Sequence, residues 1–380
     1  MRGYNLLVVG DIYDNHIIRF VTNLKRENPD AKISLFATRN IGEIPESISS
    51  IVSNIFWQGR GHHRNRLIRR VQSIKGIIAP LKQISKSYHF EVVNIHFPLQ
   101  DYFFAMPLFK KISNYIVLTP WGSDVYRSSK IGRLLLRRVF NKSDYICGTG
   151  NRFSQDVGRI FRVPKERFVN LDIGSETIDY ITEYKDKIDK NKARELLGIS
   201  CEYAITCGYN AHKAQNHLSI IDSIFKVKKQ LPEKTTLLFP LTYPKDESYI
   251  NAIKQRTWEL GMDAVFFETY LTVEKLFLMR QATDMFIHVQ NTDANAASVQ
   301  EYLLLSKNVI NGVWLRYGEL ETNTIPYHLV SSLDDLAKII VDSYKEGPIN
   351  LPSETIKYIE SYGWKPWIKK WNDFFVYIAK

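Results

Sequence analysis

The chain has 380 residues, of which 44% are hydrophobic and 24% charged, with three cysteines and a formal net charge of +11. That length exceeds one ordinary core and predicts two domains. No apolar run approaches the roughly 20 residues that a membrane-spanning helix needs, and the polar start Met1-Arg2-Gly3-Tyr4-Asn5 lacks a signal-peptide pattern, so a cytoplasmic protein is expected. Cys147, Cys201 and Cys207 have no metal-ligand spacing and read as reduced thiols rather than as a disulfide framework.

The charge is unevenly placed. Residues 1–184 hold 27 Lys+Arg against 16 Asp+Glu, or +11, and the remainder holds 24 against 24. A basic first half predicts an anionic partner, either phospholipid headgroups or a diphosphate-linked acceptor. Nucleic acid is disfavoured, because the chain has no zinc-finger, RNP-type or basic-zipper pattern.

In chain order, apolar β-rich runs alternate with stretches of helical period. Strands are expected at Leu6–Val9, Ile33–Phe36, Val92–Asn94, Tyr115–Leu118 and Tyr145–Cys147, with helices at Asn15–Arg26, Asp101–Ile112, Ile131–Asn141 and Phe153–Phe161 between them. Residues 173–190, rich in charge and poor in apolar pattern, read as a linker. Strands then resume at Tyr203–Thr206, Thr236–Phe239, Ala264–Phe267, Met285–His288 and Val309–Ile310. The alternation predicts an α/β protein of two Rossmann-like, doubly wound domains, at 1–172 and 191–355. Trp364, Trp367, Trp371 and Phe375 recur every three or four residues, which sets a packing stripe on a last helix within 356–380.

Residues 60–86 interleave Arg64, Arg66, Arg69, Arg70, Lys75 and Lys82 with Leu67, Ile68, Val71, Ile74, Ile77 and Ile78. A basic amphipathic helix of this kind suits either a membrane surface or a solvated face over an ordinary core.

Two loops that follow predicted strands attract attention, Thr119-Pro120-Trp121-Gly122-Ser123-Asp124 and Cys207-Gly208-Tyr209-Asn210-Ala211-His212-Lys213. Ligands of open α/β sheets sit beyond the carboxyl ends of strands, so loops from separate halves suggest one substrate held by each half, facing one cleft. A nucleotide diphosphate sugar brings two negative charges that backbone N–H groups and cations must offset. Gly208 permits close backbone approach, Lys213 supplies charge unless it is simply solvated, and Ser298 opens a helix whose N-terminus can face phosphate. Glu301 precedes Tyr302-Leu303-Leu304-Leu305 on a largely apolar helix, so its carboxylate needs a partner, a role that ribose hydroxyls would fill. His96 ends a buried strand and fits an acceptor-orienting or proton-accepting imidazole as well as a core histidine. Asp124 suits a base or an acceptor ligand, and equally an N-cap or Asx-turn residue. Asp11 and His16 lie in the first strand-to-helix loop, which lacks G-x-G-x-x-G and so argues against a dehydrogenase.

Several stretches together carry a family resemblance. They are Val9-Gly10-Asp11 with His16, then His96, then Trp121-Gly122-Ser123-Asp124-Val125-Tyr126 in the first half. In the second they are Gly208 to His217, Phe239-Pro240-Leu241-Thr242-Tyr243-Pro244 with Tyr249, and Leu278-Met279-Arg280-Gln281-Ala282-Thr283-Asp284. The chain resembles a GT-B glycosyltransferase and is similar to the 4-acetamido-4,6-dideoxygalactose transferases that extend lipid-linked enterobacterial common antigen. Asp293-Ala294-Asn295-Ala296-Ala297-Ser298-Val299-Gln300-Glu301 resembles the E-x7-E element of retaining family 4 enzymes, with Asp in the first acidic position.

By that resemblance Asp293 approaches the donor sugar and Glu301 binds its ribose hydroxyls; with the residues read directly, His96, Asp124 and Asp293 are the catalytic candidates. Gly208, Asn210, Lys213, His217, Tyr243, Ser298 and Glu301 are the donor-binding ones, and Gly10, Asp11, His16, Trp121 and Gly122 the acceptor-binding ones. The resemblance implies a last helix that crosses back to the first domain and a retaining front-face transfer in which the leaving diphosphate helps to remove the acceptor proton. It also implies a nucleotide-sugar donor, a lipid-linked or soluble glycan acceptor, an anionic membrane surface at the inner face of the plasma membrane, and bacterial surface-polysaccharide synthesis. No D-x-D element stands at a strand end, so neither a metal nor a further cofactor is expected. A sugar-nucleotide 2-epimerase of the same fold and a catalytically silent partner subunit remain as alternatives.

Overall fold

The computed structural model describes residues 2–40, 42–148, 151–293, 297–318, 320–321 and 324–380. They divide into two units, the first comprising 1–174 with 364–380 and the second 175–363.

Unit 1 is built on a parallel sheet of seven strands: β1 (Asn5–Gly10), β2 (Lys32–Ala37), β3 (Asn54–Trp57), β4 (Phe90–His96), β5 (Ser113–Thr119), β6 (Tyr145–Cys147) and β7 (Phe168–Val169). Their order is β3-β2-β1-β4-β5-β6-β7. The central strands are apolar on both faces, as a sheet covered by helices on each side requires: Leu6, Leu7, Val8 and Val9 are all fully buried. The strand order reverses between β1 and β4, where Val9 lies opposite Ile95. Crevices of this kind are where open α/β sheets receive ligands.

The helix Trp364–Ile378 belongs to unit 1. Its expected stripe is buried, with Trp371 and Phe375 wholly so. Trp371 meets Phe20 edge-on at 5.0 Å and donates its indole N–H to the Asp172 carbonyl at 2.8 Å, while the Asn28 amide donates to Asn372 Oδ1 at 3.0 Å.

Unit 2 holds a parallel sheet of six strands: β8 (Tyr203–Cys207), β9 (Thr235–Pro240), β10 (Asp263–Phe267), β11 (Met285–His288), β12 (Asn308–Gly312) and β13 (His328–Val330). The order is β10-β9-β8-β11-β12-β13, with the reversal between β8 and β11.

Two boundaries differ from the sequence expectation. The stretch read as a linker contains the helix Glu176–Tyr184, N-capped by Ser175, whose Thr177, Ile178 and Ile181 are buried. Its charges occupy the opposite face, so the mean composition hid a one-sided apolar strip. The segment expected as a single terminal element, 356–380, is instead shared: the helix Ser353–Glu360 belongs to unit 2 and Trp364–Ile378 to unit 1.

Among the described residues no helix is long and apolar enough to cross a membrane. Cys147 and Cys207 are buried and Cys201 is partly so, all as free thiols.

Candidate functional site

In unit 1 the carboxyl ends of β1, β4 and β5 converge on a cavity of about 580 Å³, whose wall includes Gly10, Asp11, His96 and Trp121. His96 terminates β4 and is 2% exposed. The Asn94 amide nitrogen donates to the Val117 carbonyl at 3.2 Å and to Thr119 Oγ1 at 2.9 Å, which turns Asn94 Oδ1 towards His96 Nε2 at 2.7 Å. Nε2 must therefore carry the proton, leaving the buried, unpartnered Nδ1 as a lone pair. Burial pushes the His96 pKa down to about 3, with His16 adding to the effect, so the ring stays neutral across the physiological range.

Asp124 lies just beneath this wall. Gly122 takes φ of 99°, a conformation that favours glycine, and starts the short helix Ser123–Tyr126. Asp124 Oδ1 accepts the Trp121 N–H at 3.0 Å and its neighbour Val125 N–H at 3.1 Å. Oδ2 is buried with no partner. Burial raises the carboxyl to a pKa of about 7, against the lowering effect of these backbone donors. Asp124 is thus both a loop-closing residue and a carboxyl poised near neutrality, as acid–base work asks. Trp121 is met edge-on by the His16 ring at 4.7 Å. Asp11 is held by Arg39 at 2.7 Å.

In unit 2 the loop after β8 packs back on itself. Gly208 has φ of +66°, and a Cβ there would fall 2.9 Å from Gln215 Oε1 and 3.0 Å from His217 Nε2. Asn210 Oδ1 accepts the His212 N–H at 2.9 Å, which fixes the turn. The Tyr243 carbonyl accepts the Ala211 N–H at 2.6 Å, tying in the loop after β9, while the Tyr243 side chain is exposed. His217 is fully buried, its Nδ1 3.3 Å from the Tyr249 hydroxyl and its Nε2 without a partner. Burial pushes its pKa down to about 4, so it too is a neutral imidazole. Lys213 is 64% exposed, 3.3 Å from Asp246 and 5.7 Å from the centre of the Tyr249 ring.

Asp293 closes the other side of the switch point. Tyr317 donates to Asp293 Oδ2 at 3.2 Å and lies 2.9 Å from His288 Nε2 at the end of β11. Burial and the Asp293 charge hold the Tyr317 phenol well above its ordinary pKa. Ala294, Asn295 and Ala296 of the acidic motif lie outside the described residues. Beyond them, Ser298 is buried with an unpartnered hydroxyl.

Glu301 is 2% exposed. The partner that its burial demands comes from the protein: Arg280 forms a buried ion pair with it, and the Ser175 hydroxyl donates to its Oε1 at 2.8 Å. Lys213 and Glu301 share no partner among the described residues.

No family model matches the chain, and no curated protein matches it in sequence. Solved structures do match it in shape. A glycosyltransferase from Rickettsia africae aligns over 100% of both chains with a TM-score of 0.72 at 14% identity. Sucrose-phosphate synthase from Thermosynechococcus elongatus covers 99% of this chain and 100% of its own, with a TM-score of 0.76 at 11% identity. Anabaena HepE, solved with UDP and glucose, covers 99% and 97%, with a TM-score of 0.67 at 13% identity. The fold is GT-B.

On this GT-B frame the sequence-derived candidates gather in two places. Gly10, Asp11, His96 and Trp121 line one cavity, with His16, Gly122 and Asp124 joined to it through Trp121. Gly208, Asn210 and Lys213 lie between β8 and the helix His217–Val227, which His217 opens, and Tyr243 lies in the loop after β9. Residues that sequence reasoning missed are His288, Tyr317 and Arg280 as the partners of Asp293 and Glu301, and Gln290. Gln290 is buried and accepts from Gln215 at 2.9 Å. His288 was visible as a polar residue ending an apolar strand. Tyr317 carried no local signal, and Arg280 stood in the stretch Leu278–Asp284 that carries the resemblance without being given a role.

Proposed function

We propose that this protein is a glycosyltransferase that moves a sugar from a nucleotide-sugar donor to a glycan acceptor. The observation that carries this reading is the full-length likeness to GT-B glycosyltransferases, one of them solved with UDP and glucose. Unit 2 is the donor side. The Gly208 turn lets a diphosphate approach the backbone, and Lys213, exposed beside Asp246, supplies a cation for a phosphate. A carboxylate has about four lone-pair positions, so Glu301 keeps capacity for ribose hydroxyls while Arg280 and Ser175 hold it in place. Asp293, oriented by Tyr317, approaches the sugar.

Unit 1 is the acceptor side, with His96 Nδ1 able to accept a hydrogen bond from an acceptor hydroxyl and Asp124 able to take its proton. We read the reaction as retaining and independent of metal, and the acceptor as lipid-linked, in the assembly of a bacterial surface polysaccharide. Support for a membrane-bound acceptor comes from the helix Arg66–Ser87. Its second half buries Ile77, Leu81 and Ile84, while its first half leaves Leu67 75% exposed and Val71 52% exposed among arginines. A basic, apolar-tipped helix suits an anionic membrane face, and the working place is then the cytoplasmic surface of the plasma membrane.

The experiment is a product screen of UDP-, dTDP- and GDP-sugars with lipid-linked acceptors, with and without chelator. Transfer that survives chelation, with the anomeric configuration kept, is the expected result. Interconversion of free nucleotide sugars would identify an epimerase instead, and absence of both transfer and nucleotide binding would identify a silent subunit.

A further inference from the structure

At the carboxyl end of β11, beside the reversal in the strand order of unit 2, a chain of hydrogen-bonded side chains runs from the core to Asp293. His288 is wholly buried, its ring centre 5.7 Å from that of Tyr209 and 5.7 Å from that of Phe286. Its Nε2 lies 2.9 Å from the Tyr317 hydroxyl and 3.5 Å from Asp293 Oδ2, and its Nδ1 is buried without a partner. The Tyr317 hydroxyl in turn donates to Asp293 Oδ2 at 3.2 Å.

The contacts fix the direction of the chain. Tyr317 has one hydroxyl proton, and Asp293 receives it. His288 Nε2, facing the same hydroxyl, must then be the donor, because otherwise its lone pair would meet one of the phenol oxygen. A proton on Nδ1 would be a buried donor with nothing to receive it, which is costly. The order is therefore His288 Nε2–H to Tyr317, then Tyr317 O–H to Asp293, and each bond polarises the next.

Tyr317 is fixed from its backbone as well. Its N–H donates to Glu321 Oε1 at 3.1 Å and to the Tyr327 hydroxyl oxygen at 3.3 Å, and Glu321 is itself held by Arg316 and by the Tyr327 hydroxyl. In the same loop after β12, the Trp314 indole N–H donates to the Gln290 carbonyl at 2.7 Å. Two side chains of this loop are thus fastened to the segment 289–293. An apolar residue at 288 would pack against Phe286 and Tyr209 without the cost of burying an imidazole, so packing alone does not account for the histidine.

We infer that His288 and Tyr317 are positioning residues for sugar transfer: His288 orients the Tyr317 hydroxyl, and that hydroxyl aims the Asp293 carboxylate at the donor sugar. The inference rests on Asp293 being the group that approaches the sugar, and it names what aims it. An aspartate side chain has three staggered χ1 wells to choose from, and the chain of hydrogen bonds selects one. A group aimed in advance needs no reorganisation as charge develops at the sugar. The pair therefore acts on turnover more than on donor affinity.

The test measures release of nucleoside diphosphate by the full-length protein from UDP-, dTDP- and GDP-sugars. Tyr317→Phe keeps the ring and removes the hydroxyl, so kcat should fall by about tenfold or more while KM for the nucleotide sugar stays within about threefold. His288→Leu should lose turnover similarly. His288→Gln, whose side-chain amide can stand where Nε2 stands, should recover most of that loss. A histidine that only filled space would be replaced by leucine at least as well as by glutamine. Equal turnover of the leucine and glutamine variants, wild-type kcat in Tyr317→Phe, or a loss carried wholly by KM would overturn the inference. Independently of turnover, nitrogen NMR of histidine-labelled protein should place the His288 proton on Nε2, with the signal identified by its absence from His288→Gln and shifted in Tyr317→Phe. A proton on Nδ1 would overturn the inference too. If the wild type releases nucleoside diphosphate from none of these sugars, the glycosyltransferase reading fails, and the NMR result still decides the hydrogen-bonded chain.

Discussion

Asp124→Asn isolates a carboxyl that burial holds near neutrality. In the unfolded chain Asp124 ionises near 3.8, and in the folded one near 7. Between those values the folded state keeps a proton that the unfolded state has lost, so stability falls as pH rises, by about 1.4 kcal/mol per pH unit. The whole loss, from about pH 4 to about pH 7, is on the order of 4 kcal/mol. Asparagine keeps Oδ1 as acceptor for the Trp121 and Val125 N–H groups and cannot ionise. The variant should therefore match wild type near pH 4 and exceed it by several kcal/mol near pH 8. Urea unfolding followed by tryptophan fluorescence is the assay, since Trp57, Trp121, Trp364, Trp367 and Trp371 all belong to unit 1 and only Trp258 and Trp314 to unit 2. Turnover of the variant should fall, in keeping with a functional group retained at a cost in stability. A stability gap that does not change with pH, or one in which wild type gains on the variant from pH 4 to pH 7, would refute the reasoning.

Other substitutions separate structural from chemical roles. Arg280→Ala leaves Glu301 as a buried charge held by Ser175 alone and should cost about 3–5 kcal/mol, whereas replacing both members of the pair by apolar residues should recover much of that, measured by the same unfolding assay. Lys213→Ala removes an exposed ion pair worth about 0–1 kcal/mol, so stability should barely change while turnover drops by about tenfold or more, and more than for His16→Ala; equal rates for the two variants would remove Lys213 from the donor site. Gly208→Ala forces a side chain into φ of +66° and against Gln215 and His217, at a cost of about 1–3 kcal/mol, and should weaken nucleotide binding in calorimetry. Trp371→Ala empties the contact with Phe20 and should destabilise unit 1 by about 3–5 kcal/mol without changing the affinity of unit 2 for nucleotide.

Sequence legibility followed burial. Met285–His288 is a strand with the very bounds that its apolar run suggests, and the central strands β1, β2, β4, β5, β8 and β9 were all apparent, because a strand covered on both faces must be continuously apolar. The strands that escaped, Asn54–Trp57, Phe168–Val169 and His328–Val330, are three of the four outer strands, β3, β7 and β13, short and only partly buried; the fourth, β10, was legible from its apolar run Ala264–Phe267. The helix Glu176–Tyr184 was hidden because three buried positions among nine do not lift a charged average.

At the site, residues bound to a loop by their own backbone were legible: Gly208 and Asp124 announce a turn. Partners brought in from other elements were not. Arg280 stands on the helix Val273–Ala282 and Glu301 on the helix Ala297–Leu304, and nothing in either stretch signals the other. For the same reason the sequence did not reveal that a guanidinium and the Ser175 hydroxyl already hold Glu301. The Asn94 amide that sets the His96 proton is another such case, because its meaning depends on which strand lies beside it.

The central claim is that unit 2 grips a nucleotide-sugar donor through the loop after β8 and the helix bearing Glu301. Hydrogen exchange with and without saturating UDP, dTDP or GDP measures this directly. One of the three should slow exchange across 208–217 and at 298–301, and Lys213→Ala should abolish the slowing at matched concentration. Unchanged exchange at both segments with every nucleotide, or protection confined to unit 1, would contradict the account.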